Sequence, residues 1–451
     1  MTARRAFRVA FAFALLLSLP FCAVAQTPDL AAKVDEYIAG HMKVSHFSGS
    51  VLIARDGKVL VSKGYGLANR EWEIPNTPQT KFRLGSITKQ FTAAAVLLLE
   101  ERGKLKVEDP ICKFFDPCPA AWQPVTVHHL LTHTSGIPSY TGQPEYARSM
   151  AHNVSHEQMV ARFRDLPLEF PVGDRYRYNN SGYFLLGMII EKASGQDYAA
   201  FLQANIFGPL GMKDTGYDVS TVLLSKRASG YSRRGNTVTN AAYLDMGQPY
   251  AAGSLYSTVE DLYVWDQALE ARKLLSAASY EKMWTPFKSN YAYGWALPPG
   301  ARKIIGHGGG INGFNTDISR YPEQKACVIV LSNLESGGAG RVSRDLAAIL
   351  FGDPYQVPRE RVVAKVDPKI FDDYVGRYEI APTFVITITR EGDALMAQAT
   401  GQPKNPIFPE SETKFFLRVV DAQFTFVREA GKVTHLILHQ GGADQRGKRI
   451  E

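Results

Sequence analysis

The spacing of apolar and polar residues predicts one sheet built from both ends of the first 350 residues. The pattern predicts a helix over 29–42 and then a hairpin, because Asp56-Gly57 separates the apolar runs 50–55 and 58–63. Residues 90–100 have the continuous apolar pattern of a buried helix that ends at Gly103. Further strands are predicted at 302–306, 314–321 and 325–332. We therefore predict an antiparallel sheet with a helical region inserted between its first and last strands.

The pattern changes after about residue 352. Residues 353–371 are polar and contain prolines, which is typical of a linker. Beyond them, Phe384, Ile386 and Ile388 alternate with more polar neighbours. Six or so short strand patterns follow one another here, and the clearest are 383–390, 395–400, 414–420, 423–427 and 433–439. This regular spacing predicts a small β-barrel over 372–451.

The first 25 residues have the composition of a secretory signal peptide. Arg4, Arg5 and Arg8 precede an apolar run over 9–21, and Ala23-Val24-Ala25 fits a cleavage site. We therefore expect a periplasmic or secreted protein. No other stretch is long and apolar enough to span a bilayer.

Charge and cysteine content exclude several kinds of partner. The net charge of +7 falls to +4 without the three signal arginines, which is too small and too dispersed for nucleic acid or membrane binding. Cys112 and Cys118 supply only half of a metal site, so we expect no metal and no cofactor. Whether these two form a loop disulfide is left open. Cys327 lies in an apolar run and is predicted to be a buried thiol.

Ser86 and Lys89 form the first candidate chemical motif. Residues three apart share one face of a helix, so both side chains meet in the first turn of the helix predicted from residue 90. Ser411 and Lys414 repeat the spacing by chance, but they lie among turn residues. The structural alternative is that Ser86 is only a helix-capping serine beside a solvated lysine.

A lysine can activate a serine only when it is neutral. That requires lowering its pKa by roughly 3 units, or about 4 kcal/mol. The helix dipole contributes only about 0.3 to 2 kcal/mol. We therefore expect most of the shift to come from desolvation beneath a bound substrate and from neighbouring groups such as Tyr178.

Two further motifs follow in order, Tyr178-Asn179-Asn180 and His307-Gly308-Gly309. With Ser86-Ile87-Thr88-Lys89, they resemble the serine β-lactamase and penicillin-binding-protein superfamily, in its branch of class C β-lactamases, DD-peptidases and esterases. The resemblance implies a β-lactamase-like α/β (α+β) fold over 26–352, an antiparallel sheet flanked by helices. Residues 374–378, Tyr-Val-Gly-Arg-Tyr, and the strand pattern resemble an appended lipocalin-like domain.

The resemblance also implies roles for individual residues. Ser86 would be the nucleophile, Lys89 its proton acceptor and Tyr178 the proton shuttle to the leaving group. Asn180 would hold the acyl side chain and the lysine. The backbone N–H groups of Ser86 and Gly310 would form the oxyanion hole. The substrate-binding set is thus Asn180, His307, Gly309 and Gly310.

His307 departs from the β-lactamase pattern, which has a lysine there to hold the substrate carboxylate. A histidine is at best partly charged near neutral pH, so this departure argues against carboxylate recognition and against β-lactamase activity. Esterases and peptidases acting on D-residues or small amides have a histidine at this position. The structural alternative is a strand-end histidine packed against glycine turns. His128, His129 and His133 are interpreted as framework residues.

These observations favour an exported serine hydrolase that cleaves an amide, peptide or ester bond through an acyl-enzyme on Ser86. Its substrate would be a small molecule or a peptide, and a compound related to D-amino acids is favoured. Alternatives are a β-lactamase or DD-carboxypeptidase, and a penicillin-binding sensor or small-ligand-binding protein without turnover. A homo-oligomer is left open. The barrel would shape the cleft or drive oligomerisation, or else serve only stability.

Overall fold

The computed structural model describes residues 30–235, 237–420, 422–440 and 443–450. The predicted signal peptide, 1–25, therefore lies outside the described residues. Within the described ranges, no helix is both long enough and apolar enough to cross a membrane.

Eleven α-helices are assigned in the described part of the chain. In chain order they are α1 (Leu30–Ser45), α2 (Thr88–Glu101), α3 (Val127–Leu131), α4 (Pro144–Ser149), α5 (His156–Ala161), α6 (Asn180–Ser194), α7 (Tyr198–Leu202), α8 (Gly208–Leu210), α9 (Val259–Glu270), α10 (Ala277–Trp284) and α11 (Ala339–Phe351). The predicted first helix is confirmed as α1. The predicted buried helix is confirmed as α2.

Twelve strands precede the barrel in the described part of the chain. They are β1 (Gly49–Arg55), β2 (Lys58–Tyr65), β3 (Leu67–Asn69), β4 (Ile74–Pro75), β5 (Phe82–Arg83), β6 (Gly216–Tyr217), β7 (Tyr231–Arg234), β8 (Thr237–Asn240), β9 (Leu255–Ser257), β10 (Ile305–Ile311), β11 (Phe314–Tyr321) and β12 (Ala326–Ser332). The main sheet has the order β10-β11-β12-β1-β2 and is antiparallel. First and last strands therefore share one sheet, as predicted.

The hairpin between β1 and β2 turns at Asp56-Gly57. Both residues adopt left-handed backbone angles, with φ of 51° and 72°. That conformation is tolerated by aspartate and favoured by glycine, and it matches the twist of the flanking strands. The predicted hairpin is confirmed.

Helices cover both faces of the main sheet. Leu52, Ile329 and Leu331 point into a core shared with α2 and α9, whereas Val51 and Val330 point into a second core shared with α1 and α11. Every residue of β12 is buried for this reason, which explains its unbroken apolar sequence. The fold positions the N-terminus of α2 beside the outer strand β10.

The strand predicted at 302–306 is wrong in its bounds, because β10 spans Ile305–Ile311 and includes three glycines in a row. Glycine weakens a strand and carries no side chain that reveals alternation. Here the pairing with β11 keeps Gly308, Gly309 and Gly310 extended. The third motif therefore lies within a strand and not beyond its end.

The C-terminal part is a closed eight-stranded barrel. Its strands are β13 (Gly376–Ala381), β14 (Phe384–Glu391), β15 (Ala394–Ala399), β16 (Asn405–Pro409), β17 (Lys414–Leu417), β18 (Ala422–Glu429), β19 (Lys432–Gln440) and β20 (Ala443–Arg449). Tyr374 stacks on Phe426 inside it at 4.3 Å between ring centroids, and Phe415 contacts both. The interior is a packed core, as expected for eight strands.

The cysteines and the linker adopt ordered positions. Cys112 and Cys118 form a disulfide, and Cys327 is a buried free thiol as predicted. The segment predicted as a linker begins with Asp353, which forms an ion pair with Arg302, and includes the start of a 3₁₀ helix, Pro368–Asp373.

We predict that Asp317→Asn stabilises the protein at neutral pH. Asp317 lies on β11, where Ser319 donates a hydrogen bond to it and burial raises its pKa to about 6. Because the folded state binds this proton more tightly than the unfolded chain, stability falls as pH rises from about 4 to 6. The free energy of unfolding of the variant should exceed that of the unmodified protein by about 1 to 3 kcal/mol at pH 8 and by almost nothing at pH 4. Urea unfolding of both proteins between pH 4 and pH 8 measures this difference. Asp165→Asn, at an exposed position, should show no comparable gain.

Candidate active site

Ser86 lies in a short 3₁₀ helix, Gly85–Ile87, that leads directly into α2. Gly85 has φ +56°, and a Cβ atom there would lie 3.0 Å from the backbone N and O of Gly310. Only glycine allows so close an approach at that backbone angle. Thr316 Oγ1 also donates a hydrogen bond to the carbonyl of Leu84 at 2.7 Å. The loop that carries Ser86 is thus fixed against β10.

Lys89 is fully buried beneath Ser86. Its Nζ atom lies 3.1 Å from Ser86 Oγ, 2.9 Å from Asn180 Oδ1 and 2.8 Å from the carbonyl oxygen of Ala252. Burial lowers the pKa of Lys89 well below its usual range. Desolvation thus lowers the pKa, as the sequence led us to expect, but the protein itself supplies this desolvation without a bound substrate.

Three hydrogen-bond partners surround Lys89 Nζ, and they can serve either an ammonium or a neutral amine. A neutral amine has two N–H donors and one lone pair, whereas an ammonium has three donors. Asn180 Oδ1 and the Ala252 carbonyl can only accept, so they take both donors. In the neutral form of the amine, the lone pair occupies the third position, 3.1 Å from Ser86 Oγ, which is the arrangement that proton transfer requires.

Tyr178 lies beside both Ser86 and Lys89. Its hydroxyl interacts with Ser86, and its ring centroid is 4.8 Å from Lys89 Nζ. Burial raises the pKa of Tyr178, so the phenol keeps its proton at neutral pH. A protonated phenol in this position is able to pass a proton between Ser86 and a leaving group.

The turn into α6 places the residues of the second motif. Asn179 caps the helix, because its side chain accepts a hydrogen bond from the N–H of Gly182 at 2.8 Å. Asn180 donates through Nδ2 to Thr141 Oγ1 at 3.1 Å, which directs its Oδ1 at Lys89. The capping geometry thus orients the amide that holds the lysine.

Gly310 presents its N–H at the free edge of β10. Gly306 exchanges backbone hydrogen bonds with Ala296 across that edge. N–H groups alternate along a strand, so Gly308 and Gly310 face the same edge. The first N–H groups of a helix have no partner within it, which leaves the Ser86 N–H free. Ser86 and Gly310 therefore place two donors at one cleft.

Gly309 lies under the loop that carries Ser86 and is not among the residues lining the cleft. A Cβ atom there would lie 2.0 Å from the carbonyl oxygen of Leu84 and 2.2 Å from Thr316 Oγ1. The structure therefore gives Gly309 a packing role, whereas the resemblance implied substrate contact.

His307 is buried and also does not line the cleft. Its Nδ1 lies 2.6 Å from the carbonyl oxygen of Gly308, so Nδ1 carries the proton and Nε2 accepts from Tyr291 at 3.0 Å. Burial, together with the nearby Lys89, lowers the pKa of His307 to about 4. His307 is therefore neutral at physiological pH and supplies no cation for a substrate carboxylate.

The histidines interpreted as framework residues have structural contacts. His129 completes the N-terminal cap of α3 with Thr126, and His128 pairs with Tyr293. His133 does more than the sequence suggested, because its Nδ1 accepts the N–H of Asn179 at 3.1 Å and its ring packs 4.4 Å from that of Tyr178. Contacts between segments this far apart in sequence leave no local signal.

A cleft of about 290 Å³ opens beside Ser86. Asn180 and Gly310 contribute to its walls with Ser86. Sequence reasoning missed the other walls, which include Tyr140, Tyr146, Leu244, Phe314 and Glu335. Within the described ranges no group of His, Cys, Asp and Glu side chains could hold a metal ion. The reactive groups at this site are a serine hydroxyl, an amine and a phenol.

Comparison with known proteins agrees with this geometry. The Beta-lactamase family model matches residues 34–352, and a domain of unknown function (DUF3471) matches 360–449. Penicillin-binding protein 4* of Bacillus subtilis (strain 168) is 34% identical over 437 residues, covering 90% of this chain and 95% of that protein.

Solved structures give the same relationship. The octameric penicillin-binding protein homologue from Pyrococcus abyssi has a TM-score of 0.67 at 29% identity, covering 92% of this chain and 99% of that one. The D-amino acid amidase from Ochrobactrum anthropi SV3, complexed with L-phenylalanine amide, has a TM-score of 0.62 at 26% identity, covering 71% and 96%. This chain thus belongs to the β-lactamase and penicillin-binding-protein family and is a serine hydrolase.

Proposed function

We propose that this serine hydrolase cleaves an amide, peptide or ester bond through an acyl-enzyme on Ser86, and that its substrate is a peptide or a D-amino-acid derivative. The observation that carries the proposal is the buried Lys89 amine, whose Nζ lies 3.1 Å from the Ser86 hydroxyl oxygen and whose pKa burial lowers well below its usual range. A serine activated in this way is a nucleophile towards carbonyl carbon.

The reaction follows from the positions of these groups. Ser86 Oγ attacks the carbonyl carbon while its proton passes to Lys89 Nζ. The N–H groups of Ser86 and Gly310 stabilise the negative charge that develops on the carbonyl oxygen. The bond to the leaving group then breaks, and the leaving group takes a proton through Tyr178. Water attacks the acyl-enzyme, releases the acid and restores Ser86.

The substrate class is supported by relatives and by the charge at the third motif. The similar D-amino acid amidase was solved with an amino-acid amide bound. In this chain the corresponding residue is His307, which is buried and neutral. This position therefore carries no positive charge that could hold a substrate carboxylate. Binding of small amides, esters and peptides does not require a substrate carboxylate at this position.

Penicillin binding is the second candidate, favoured by the 34% identity to penicillin-binding protein 4*. Intact-mass spectrometry separates the two. We expect a fluorophosphonate to add one adduct on Ser86 and benzylpenicillin to add none. A persistent penicilloyl adduct would favour a penicillin-binding peptidase, and a rapidly lost one a β-lactamase. Absence of the fluorophosphonate adduct would contradict acyl-enzyme chemistry at Ser86.

Export is a further part of the proposal. The motif Ala23-Val24-Ala25 and the apolar run before it support cleavage after residue 25. Mass spectrometry of the protein recovered from the periplasm or medium should give a mature chain that begins at Gln26. Recovery of only the uncleaved chain from the cytoplasm would contradict export.

Self-assembly is supported by the octameric homologue alone. We propose that this chain also forms a homo-oligomer. Light scattering on the mature protein should give a mass several times that of one chain. A monomeric mass at micromolar concentration would contradict the proposal.

We predict that Tyr178→Phe slows the cleavage of poor leaving groups most. An anilide nitrogen needs a proton to leave, whereas p-nitrophenolate leaves without one, so loss of the phenol affects the two unequally. We expect kcat/KM to fall about 10²-fold or more for an anilide and much less for the matching p-nitrophenyl ester. Tyr176→Phe, which removes a hydroxyl from the same aromatic cluster, should leave the anilide-to-ester ratio unchanged. Equal losses for both substrates in Tyr178→Phe would contradict proton donation.

A further inference from the structure

The walls of the cleft carry a negative charge. Of the described residues that line it, only Glu335 has a charged side chain, and the others are aromatic, aliphatic, hydroxyl, amide or glycine. Lys89 lies below Ser86, where burial favours its neutral form. The cleft therefore favours a cationic substrate over an anionic one.

Glu335 is held in place without being neutralised. It follows β12, and its backbone N–H donates to the carbonyl oxygen of Tyr231 at 2.9 Å. Ser232 Oγ donates to one carboxylate oxygen at 2.5 Å. No lysine, arginine or histidine of the described ranges lies within ion-pair distance of this carboxylate. An ionised carboxylate accepts several hydrogen bonds, so capacity for a donor on a ligand remains.

The sheet register gives the distance from Gly310 to the end of β12, the strand that Glu335 follows. Gly310, Asn315 and Ser332 lie side by side on β10, β11 and β12. Adjacent strands are about 4.8 Å apart, so Ser332 is about 10 Å from Gly310. Glu335 comes three residues after Ser332 and returns to the cleft wall. An extended peptide spans about 3.3 to 3.6 Å per residue, so the separation of Gly310 from the end of β12 corresponds to about three extended residues.

We propose that Glu335 binds a primary ammonium group on the acyl side of the substrate, about two to three residues from the carbonyl that Ser86 attacks. This inference rests on the proposed function and adds the charge of the substrate to it. The ammonium comes either from the free N-terminus of a short peptide or from a lysine-like side chain. Both present the same chemistry to Glu335.

The test compares p-nitroanilides of D-Ala, Gly-D-Ala and Gly-Gly-D-Ala, each with a free and an acetylated amine. Acetyl-Lys-D-Ala and acetyl-norleucine-D-Ala p-nitroanilides form the side-chain arm. We expect kcat/KM to favour the free amine about threefold or more in the two longer peptides or in the lysine arm, and not in D-Ala itself. For the N-terminal amine, the preference should fade as pH rises past about 8, where that amine loses its proton.

Glu335→Gln should remove this preference, and Glu335→Lys should reverse it in favour of a succinylated peptide. Glu323→Gln, an exposed glutamate on the turn after β11, serves as the matched control and should keep the preference. Cleavage of free and acetylated peptides at equal rates, or a preference that survives Glu335→Gln, overturns this inference alone. If no anilide is cleaved and a fluorophosphonate does not label Ser86, the proposed function fails with it.

Discussion

Ser86→Ala is expected to abolish fluorophosphonate labelling and to lower kcat/KM by about 10⁴-fold or more. The alanine has no oxygen to attack the substrate, while Lys89, Tyr178 and the N–H groups of residues 86 and 310 all remain. Residual cleavage would come only from binding and the oxyanion hole. Intact-mass spectrometry and steady-state kinetics on an activated ester measure both effects.

The chain supplies its own control for this experiment. Ser411 has a lysine three residues later, as Ser86 has, but it lies in the exposed turn before β17. Ser411→Ala should label and turn over like the unmodified protein. Labelling that persists in Ser86→Ala would contradict the assignment of Ser86 as the nucleophile. Loss of labelling in Ser411→Ala would indicate that the nucleophile is Ser411, in the barrel.

Local patterns predicted the elements whose signals are contained in a few adjacent residues. The Asp56-Gly57 turn and the helix that carries Lys89 are examples, because turn geometry and helical spacing depend on near neighbours. β16 was missed because Pro406 and Pro409 interrupt its pattern, and prolines argue against a strand. β20 was missed because its sequence is almost entirely polar. Closure of the barrel, and not local propensity, makes these two segments extended.

The residues of the site also divide into those with a local sequence signal and those without one. Spacing alone suggested that Ser86 and Lys89 meet, but Tyr178 and Gly310 came from the family resemblance and not from any local rule. Glu335 and the contact between His133 and Tyr178 had no sequence signal, because they depend on how distant segments pack.

The packed barrel bears on one of the earlier alternatives. A protein that captures a small apolar ligand inside its barrel needs an empty interior. Here Tyr374, Phe415 and Phe426 fill the centre with ring contacts. The barrel interior thus gives no support to a ligand-capture role, and the chemistry of the chain centres on the cleft beside Ser86.

Lys89→Met is expected to lower kcat/KM by about 10² to 10⁴-fold, the usual contribution of a general base. Methionine has a similar length and no charge, so it fills the buried space without accepting a proton. The pH profile gives a second readout. Because burial lowers the pKa of Lys89 well below its usual range, the rate of the unmodified enzyme should reach its plateau well below pH 10 and fall at lower pH, as the amine becomes protonated. An ordinary lysine would instead give a rate that rises about tenfold per unit up to pH 10.

Lys414→Met is the matched control, because Lys414 occupies the equivalent position in the chance repeat of the motif and is exposed. It should change neither the rate nor the pH profile. Thermal unfolding checks that Lys89→Met is folded, since the change leaves Asn180 Oδ1 and the Ala252 carbonyl without their donor. A folded Lys89→Met enzyme with the original rate and acid limb would show that another group takes the Ser86 proton, and the neutral amine would then have only a structural role.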